Sequence, residues 1–353
     1  MHNLDNLNKK KILVTGGAGF IGSAVIRKLL RETSSFIFNI DKLTYASDLT
    51  SIERTLRDLG GNSAQRYSFY KLDLLNEKEI NQLLQNISPD IIMHLAAESH
   101  VDRSIDGPKI FMQSNIMGTF NLLNAALKYY YELSSYKKKD FLFHHISTDE
   151  VFGTLGEEGF FDEYTPYNPR SPYSASKASS DLIVNAWHHT YDLPIIISNC
   201  SNNYGPWQFP EKLIPVVISN ALEGKDIPIY GDGSNVRDWI FIDDHVDALL
   251  SIITKGRIGH SYCIGANNEK SNINCVKEIC ANLDILKPKK ISYAKQINFV
   301  KDRLGHDKRY AINSSKIQTE IGWKPKFCFS EGIKITVKWY LDNMDWVKLM
   351  SLK

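Results

Sequence analysis

The stretch TGGAGFIG, residues 15–22, decides the fold. Gly16, Gly19 and Gly22 stand three apart, an apolar run, KILVT (11–15), leads into them, and a helical pattern runs from Phe20 to residue 32. Glycine serves three needs here: a tight turn, close approach of backbone N–H groups to a pyrophosphate, and close packing of helix on strand. The helix start adds a partial positive charge toward bound phosphate. Asp41 follows 19 residues beyond Gly22, at the end of the second strand. A carboxylate there accepts from both ribose hydroxyls and repels a 2′-phosphate, so the expected cofactor is NAD rather than NADP. Asp73, in YKLDLLN after the third strand, has two open readings: an adenine contact, or the N-cap of a helix over 76–86.

Outward from this turn, short β-branched or aromatic runs alternate with longer amphipathic segments. The expected strands are 11–15, 36–40, 67–71, 91–96, 141–146 and 195–199, and the main helices 20–32, 76–86, 109–131 and 172–190. Such alternation specifies a parallel sheet covered on both faces and joined by right-handed crossovers. The expected fold is therefore α/β: a Rossmann-type doubly wound parallel sheet over residues 1–203, with a smaller mixed α/β C-terminal substrate lobe over 204–353 and an interleaved boundary. The rhythm changes at NYGPWQFPEKLIP, which is rich in turn residues, and no low-complexity linker separates the two parts.

The bulk numbers exclude several classes. The 353 residues are 43% hydrophobic and 23% charged, ordinary for a soluble globular protein. A net charge of +2 gives no basic field, so nucleic acid is not an expected partner. The first residues, MHNLDNLNKKK, lack the apolar core of a signal peptide, and no run approaches the ~20 apolar residues of a membrane span. The five cysteines are scattered, and Cys275 and Cys280 do not have metal-ligand spacing. Reduced thiols and a cytoplasmic location are expected. The lysines of KKK (137–139) are expected in a solvated loop.

Two further motifs carry chemistry. In SPYSASKAS, Tyr173 and Lys177 are four apart and share one face of a helix over 172–190. A neighbouring ammonium and a bound nicotinamide cation both favour the phenolate of Tyr173, which then serves as a base near neutral pH. In STDEVFG (147–153), Asp149 and Glu150 are adjacent where a buried strand should end. On a continuing strand they would point to opposite faces. To serve one substrate the backbone must turn after Thr148. His144 and His145 are also neighbours on a strand, so they are expected to be packed apart rather than to share a metal.

The motifs TGGAGFIG, LAAESHVDRS, STDEVFG and YSASK, in this order, resemble the extended short-chain dehydrogenase/reductases that act on nucleotide sugars. SNNYGPWQFPEKLIP and DRLGHDKRYAIN carry the likeness into the C-terminal part, over roughly residues 10 to 340. Within that group the chain is most similar to dTDP-glucose 4,6-dehydratases. The resemblance implies NAD as cofactor, dTDP-glucose as substrate and a homodimer formed through the helices 109–131 and 172–190. It implies an enzyme that oxidises C4, eliminates water across C5 and C6 and returns the hydride to C6. Tyr173 takes the C4 proton, Thr148 bonds the C4 oxygen, Glu150 takes the C5 proton and Asp149 protonates the departing C6 oxygen. Two close carboxyl groups in a dry cleft suit this, because each disfavours ionisation of the other.

The same resemblance places Phe20 and Ile21, Lys42, Leu74, Ala96, Ala97, Ser99, Thr119 and Asn203 with Tyr173 and Lys177 along the cofactor. A sugar diphosphate calls for converging basic groups, for which Arg237 and Arg303 are the candidates. Ser99, Asn202, Lys212, Leu213, Asn272 and His306 are implied on the sugar side, with Pro228 and Tyr230 near the base; His100 and Arg103 are further candidates there. No metal is implied. The Thr148-Asp149-Glu150 triplet disfavours an epimerase or a decarboxylase, and the intact catalytic set disfavours a non-catalytic NAD-binding scaffold. UDP-glucose stays open as the substrate, since the two bases differ by one methyl.

Overall fold

The β-branched and aromatic runs of the first half form six strands: β1 (Lys11–Thr15), β2 (Phe36–Asp41), β3 (Tyr67–Lys71), β4 (Ile91–His94), β5 (Leu142–Thr148) and β6 (Ile195–Cys200). The second half adds β7 (Asn202–Tyr204), β8 (Ile227–Tyr230), β9 (Val236–Phe241), β10 (Ser261–Ile264), β11 (Glu269–Ser271) and β12 (Ile297–Val300). This computed structural model describes residues 4–352; residues 1–3 and 353, at the two ends of the expected domains, lie outside it. Seven strands form one parallel sheet in the order β10-β6-β5-β4-β1-β2-β3. The chain runs outward from β1 to β3, then returns to the other side of β1 for β4. A crevice therefore opens at the carboxyl ends of β1 and β4, where ligands bind in such sheets.

The sheet is a doubly wound Rossmann type. Its strands are buried on both faces, which is why β4, β5 and β6 read as continuous apolar runs rather than alternating ones. The helices Phe20–Glu32, Glu77–Ile87 and Pro172–Tyr191 match the expected spans to within a residue. The expected helix 109–131 runs from Pro108 to Glu132, with a π-helical turn at Met112–Met117 in its middle. Two strand ends differ from expectation by two residues, the others by at most one. β4 stops at His94, because Ala96 N–H turns to the Thr15 hydroxyl (3.2 Å). β5 continues to Thr148, because Ser147 and Thr148 stay in register with Asn199 and Cys200 of β6. Lys137 and Lys138 lie in an exposed helical turn, Ser135–Lys138, where Lys138 sits over the Tyr130 ring at 5.1 Å.

Beyond β6 the chain builds a three-stranded sheet, β11-β9-β7, and a parallel pair, β12-β8. It also sends β10 back to the edge of the large sheet, beside β6, and packs the helix Ile242–Lys255 against Phe20–Glu32. The C-terminal helices Phe329–Asp342 and Met344–Ser351 return to the same end of the molecule. Trp339 and Trp346 meet Trp207 at ring separations of 4.8 and 5.2 Å, and Trp346 Nε1 donates to Asp48 (3.0 Å) in the loop after β2. All five cysteines are free thiols, with Cys275 and Cys280 buried in the helix Asn272–Leu286. No described helix is long and apolar enough to cross a membrane.

Candidate active site

A cleft of about 720 Å³ opens at the crevice, walled on one side by the sheet and on the other by β7 to β9 and the segment 303–310. Its floor is the glycine turn. Gly16 has φ +69°, and a Cβ there would lie 2.7 Å from the backbone of Ala96. A Cβ on Gly22 would lie 2.3 Å from the Gly16 carbonyl oxygen. A side chain at either point would collide with backbone and force the turn apart. The helix Phe20–Glu32 has no acidic residue in its first turn and no side-chain cap, so its first N–H groups face the cleft beside Phe20 and Ile21.

Asp41 is fixed beside this cradle by Ala18 N–H (3.0 Å), Leu43 N–H (2.8 Å) and the Ser47 hydroxyl (3.0 Å). Lys42 reaches across to Ser114 Oγ (2.8 Å) and Glu98 (3.3 Å). Of the two readings of Asp73, the cap falls to Asn76, whose side chain accepts from Glu79 N–H. Asp73 instead accepts from Leu75 N–H (3.0 Å) and lines the cleft with Leu74. Ala96, Ala97 and Ser99 continue this wall. Thr119 does not join it: it is buried, with its hydroxyl bonded to the Asn115 carbonyl (2.6 Å) and to His94 Nε2 (2.9 Å). Its place behind β4 makes it a support for His94, not a wall of the cleft.

The acid pair sits where β5 ends. Thr148 is still extended (φ −135°, ψ 156°), and Asp149–Phe152 then forms a 3-10 turn capped by the Thr148 side chain, which accepts from Glu150 N–H (3.3 Å). Gly153, at φ +89°, lets the chain leave past Asn168. Both carboxyl groups therefore reach the same cleft. Their surroundings differ. Asp149 is 1% exposed, accepts only from Thr148 Oγ1 (3.3 Å) among the described residues, and is pushed well above the usual carboxylate range by burial, then by Glu150 and Asp238. Burial raises Glu150 too, but the cations of Lys212 and Arg237 oppose it. Burial and neighbouring acids thus favour the neutral form of Asp149, whereas cations favour the ionised form of Glu150 against its burial.

Tyr173 and Lys177 approach from the helix Pro172–Tyr191, started by Pro172 at its first position and a Ser171–Ser174 capping box. Both line the cleft. Lys177 Nζ donates to the Ile146 carbonyl (2.9 Å). Burial lowers its ammonium, and Asp181 opposes that. Burial, then Glu150 and Cys200, holds the Tyr173 phenol well above its ordinary value.

The opposite wall is basic. Arg237 stacks over the Tyr310 ring at 4.3 Å and donates to the Asp307 carbonyl (3.0 Å). Arg303 lies over the Tyr230 ring at 5.0 Å and pairs with Asp102 (3.4 Å). Lys212 spans the cleft to the Ser99 carbonyl (2.8 Å), and His306 bonds Asp302 (2.6 Å). Asn202, Asn203, Leu213, Pro228 and Asn272 also line the cleft. His100 lines the cleft, whereas Arg103 stacks on the Tyr45 ring at 3.7 Å. His144 and His145 face different partners, Ser198 (2.9 Å) and Asp181 (3.0 Å).

The GDP-mannose 4,6 dehydratase family matches residues 13–336. The chain belongs to this family. A curated dTDP-glucose 4,6-dehydratase from Salmonella typhimurium is 53% identical to this dehydratase-family chain over 346 residues, 96% of this chain and 94% of the relative. A crystal structure of the Bacillus anthracis dTDP-glucose 4,6-dehydratase in complex with NAD superposes with a TM-score of 0.84 at 42% identity, covering 97% of this chain and 99% of that one. The Streptomyces venezuelae dTDP-glucose 4,6-dehydratase, with NAD bound, gives 0.86 at 38% identity over 96% and 99%.

Some groups of this family member's cleft escaped the sequence reading. Cys200 ends β6 beside the acid pair, its thiol pushed up to about 12 by burial and then by Asp149. A fully buried strand has no alternation to mark which residues face a cleft. Tyr310 donates to Asp307 (2.6 Å) and together they carry Arg237. Both lie in DRLGHDKRYAIN, where the aromatic three residues after an acid was the available signal.

Proposed function

We propose that this dehydratase-family protein converts dTDP-glucose to dTDP-4-keto-6-deoxyglucose with bound NAD. One observation carries the reading: adjacent acids on a turned strand end, one dry and held above the usual carboxylate range, the other facing cations, in the cleft that also holds Tyr173 and Lys177. Elimination across C5 and C6 needs such an acid and such a base, and a simple oxidoreductase does not. The names of the closely similar relatives support glucose as the sugar and dTDP as the nucleotide.

The cradle fits NAD, because Gly16, Gly19 and Gly22 hold a tight turn that no side chain could replace at Gly16 or Gly22 without backbone collision, the turn lines the cleft, and Asp41 stands fixed beside it. Gly16, Gly19, Phe20, Ile21, Gly22, Asp41, Lys42, Asp73, Leu74, Ala96, Ala97, Ser99 and Asn203 would hold the dinucleotide, with Tyr173 and Lys177 at its nicotinamide end. When bound, NAD would supply the hydride acceptor at C4 and, once reduced, the hydride donor for C6. Tyr173 accepts the C4 hydroxyl proton, and the Thr148 hydroxyl favours its phenolate against burial and the nearby carboxyl groups. Thr148 orients the C4 oxygen. Glu150 removes the C5 proton, made acidic by the 4-ketone, and Asp149 delivers its proton to the leaving C6 oxygen. Arg237 and Arg303 hold the diphosphate; Asn202, Lys212, Leu213, Asn272 and His306 support the sugar side, and Pro228 and Tyr230 the base.

The reading extends to a cytoplasmic homodimer that supplies dTDP-rhamnose and other deoxysugar branches. Exposed Ile110, Met117 and Leu182 on the two long helices (47, 47 and 60% exposed) support pairing through those helices. The test is incubation of the purified protein with dTDP-glucose and, separately, UDP-glucose, without added NAD. The alkali-induced ultraviolet band of a 4-keto sugar is expected from dTDP-glucose. Its absence with both nucleotides overturns the reading, and a band from UDP-glucose alone reassigns the base.

A further inference from the structure

Asp181 lies one turn beyond Lys177 on the helix Pro172–Tyr191, fully buried and outside the cleft wall. Its carboxylate accepts from three elements: His145 Nε2 of β5 (3.0 Å), the Tyr167 hydroxyl (3.0 Å) and Asn199 Nδ2 of β6 (3.2 Å). The same Asn199 amide donates to the Thr148 carbonyl (3.2 Å), the last residue before the acid pair. Lys177, on the same helical face, donates to Ile146 of the same strand (2.9 Å). Helix and strand are thus joined at two levels, and the deeper one rests on a single buried carboxylate. Burying a carboxylate costs several kcal/mol unless its oxygens are bonded. Here three donors satisfy it.

We propose that Asp181 is a positioning residue: through Asn199 it fixes the Thr148 carbonyl, and so the turn that aims Asp149 and Glu150, and it supplies the negative charge opposite the Lys177 ammonium. The titratable groups around this node are Lys177 on its own helix, His94 on β4, His145 on β5, Cys200 on β6, Cys263 on β10, and Tyr167 in the preceding loop. His145 is kept neutral by burial and by Lys177, so Asp181 is the anion that answers the ammonium. Removing that anion lets Lys177 lose its proton at lower pH.

The inference rests on the dehydratase reading of the cleft, and its test separates the two. In Asp181→Asn, kcat with dTDP-glucose is expected to fall about tenfold or more while KM stays within about twofold. The alkaline limb of its kcat–pH profile should move toward acid, and the Lys177 side-chain resonance, followed by NMR in the protein as purified, should titrate earlier. Asn199→Ala cuts the link to Thr148 but leaves the charge, so its kcat should fall with the alkaline limb in place. Wild-type kcat in Asn199→Ala, or an unmoved Lys177 titration in Asp181→Asn, overturns the proposal. If Asp181→Asn does not fold, Asn199→Ala decides alone: wild-type kcat overturns the tether and reduced kcat sustains it. No 4-keto product from the wild type overturns the dehydratase reading instead, and the Lys177 titration then still decides the charge.

Discussion

Asp149 and Glu150 are chain neighbours with different electrostatic fates. Asp149 is dry and flanked by Glu150 and Asp238; Glu150 looks toward Lys212 and Arg237. In Glu150→Gln, elimination should stall after C4 oxidation. On mixing with dTDP-glucose, reduced-nicotinamide absorbance should build up, with turnover down about a thousandfold. Full turnover in that variant removes Glu150 from the base role. Behind Asp149, Asp238 is fully buried, accepts from Asn268 N–H (2.8 Å) and is raised from 3.8 to about 6, chiefly by burial. A raised carboxyl holds its proton more tightly folded than unfolded. The associated stability is full below about pH 4 and is lost as pH rises through about 6, by about 3 kcal/mol in all. Asn at 238 has no proton to lose. In urea unfolding, Asp238→Asn should therefore gain on the wild type as pH rises from about 4 to about 8. Parallel stability curves would refute this. Asp149 and Glu150 were legible because the motif STDEVFG sets two acids at an apolar run's end. Asp238 was not: RDWIF reads as a strand, and nothing local tells that its acid is backed onto the cleft.

Among elements, run length and composition placed the strands and long helices well, since each is buried enough to need its apolar residues. The end of β5 was harder. The apolar run ends at Ile146, yet Ser147 and Thr148 stay paired with Asn199 and Cys200, and the chain turns after Thr148, where two acids serving one substrate require it. The turn that matters therefore starts two residues later than the apolar run suggests. Likewise the helix Glu77–Ile87 is capped by Asn76, not Asp73, which leaves Asp73 for the cleft. Thr119 was placed on the cofactor side by its helix, but its face of that helix is turned to His94. The glycine turn was legible in full, because its geometry admits no side chain. Gly22→Ala tests it: the added Cβ would meet the Gly16 carbonyl oxygen at 2.3 Å, so the helix start must shift. Overpacking of this kind costs about 1–3 kcal/mol. NAD carried by the purified protein should fall at least about tenfold, measured by ultraviolet absorbance of the acid-released nucleotide. Gly156→Ala, where a Cβ meets nothing, is the control. Equal NAD content in both variants would dismiss the steric account.

At the scale of the molecule, a change of rhythm near residue 203 coincides with the start of the smaller sheets, but the chain beyond it is not separate, because β10 rejoins the large sheet beside β6. A four-residue strand is too short to show in sequence which sheet it joins. The centre of that sheet also holds a store of neutral histidines. His94 is on β4, and His144 and His145 are on β5; His245, on the helix Ile242–Lys255, is buried with neither ring nitrogen bonded among the described residues. Burial depresses all four, His144 and His245 to about 3. Unfolded, each would titrate near 6.5. The stability that His144 and His245 confer is thus full above about pH 6.5 and is lost as pH falls toward about 3, at about 1.4 kcal/mol per pH unit for each ring. His245→Leu removes one ring that has no bond to lose. Plotted against pH from about 6 to about 4, its unfolding free energy in urea should decline less steeply than the wild type's, by about 1.4 kcal/mol per unit. An unchanged slope would mean that His245 already binds a proton in the folded protein, contrary to its dry, unpartnered setting.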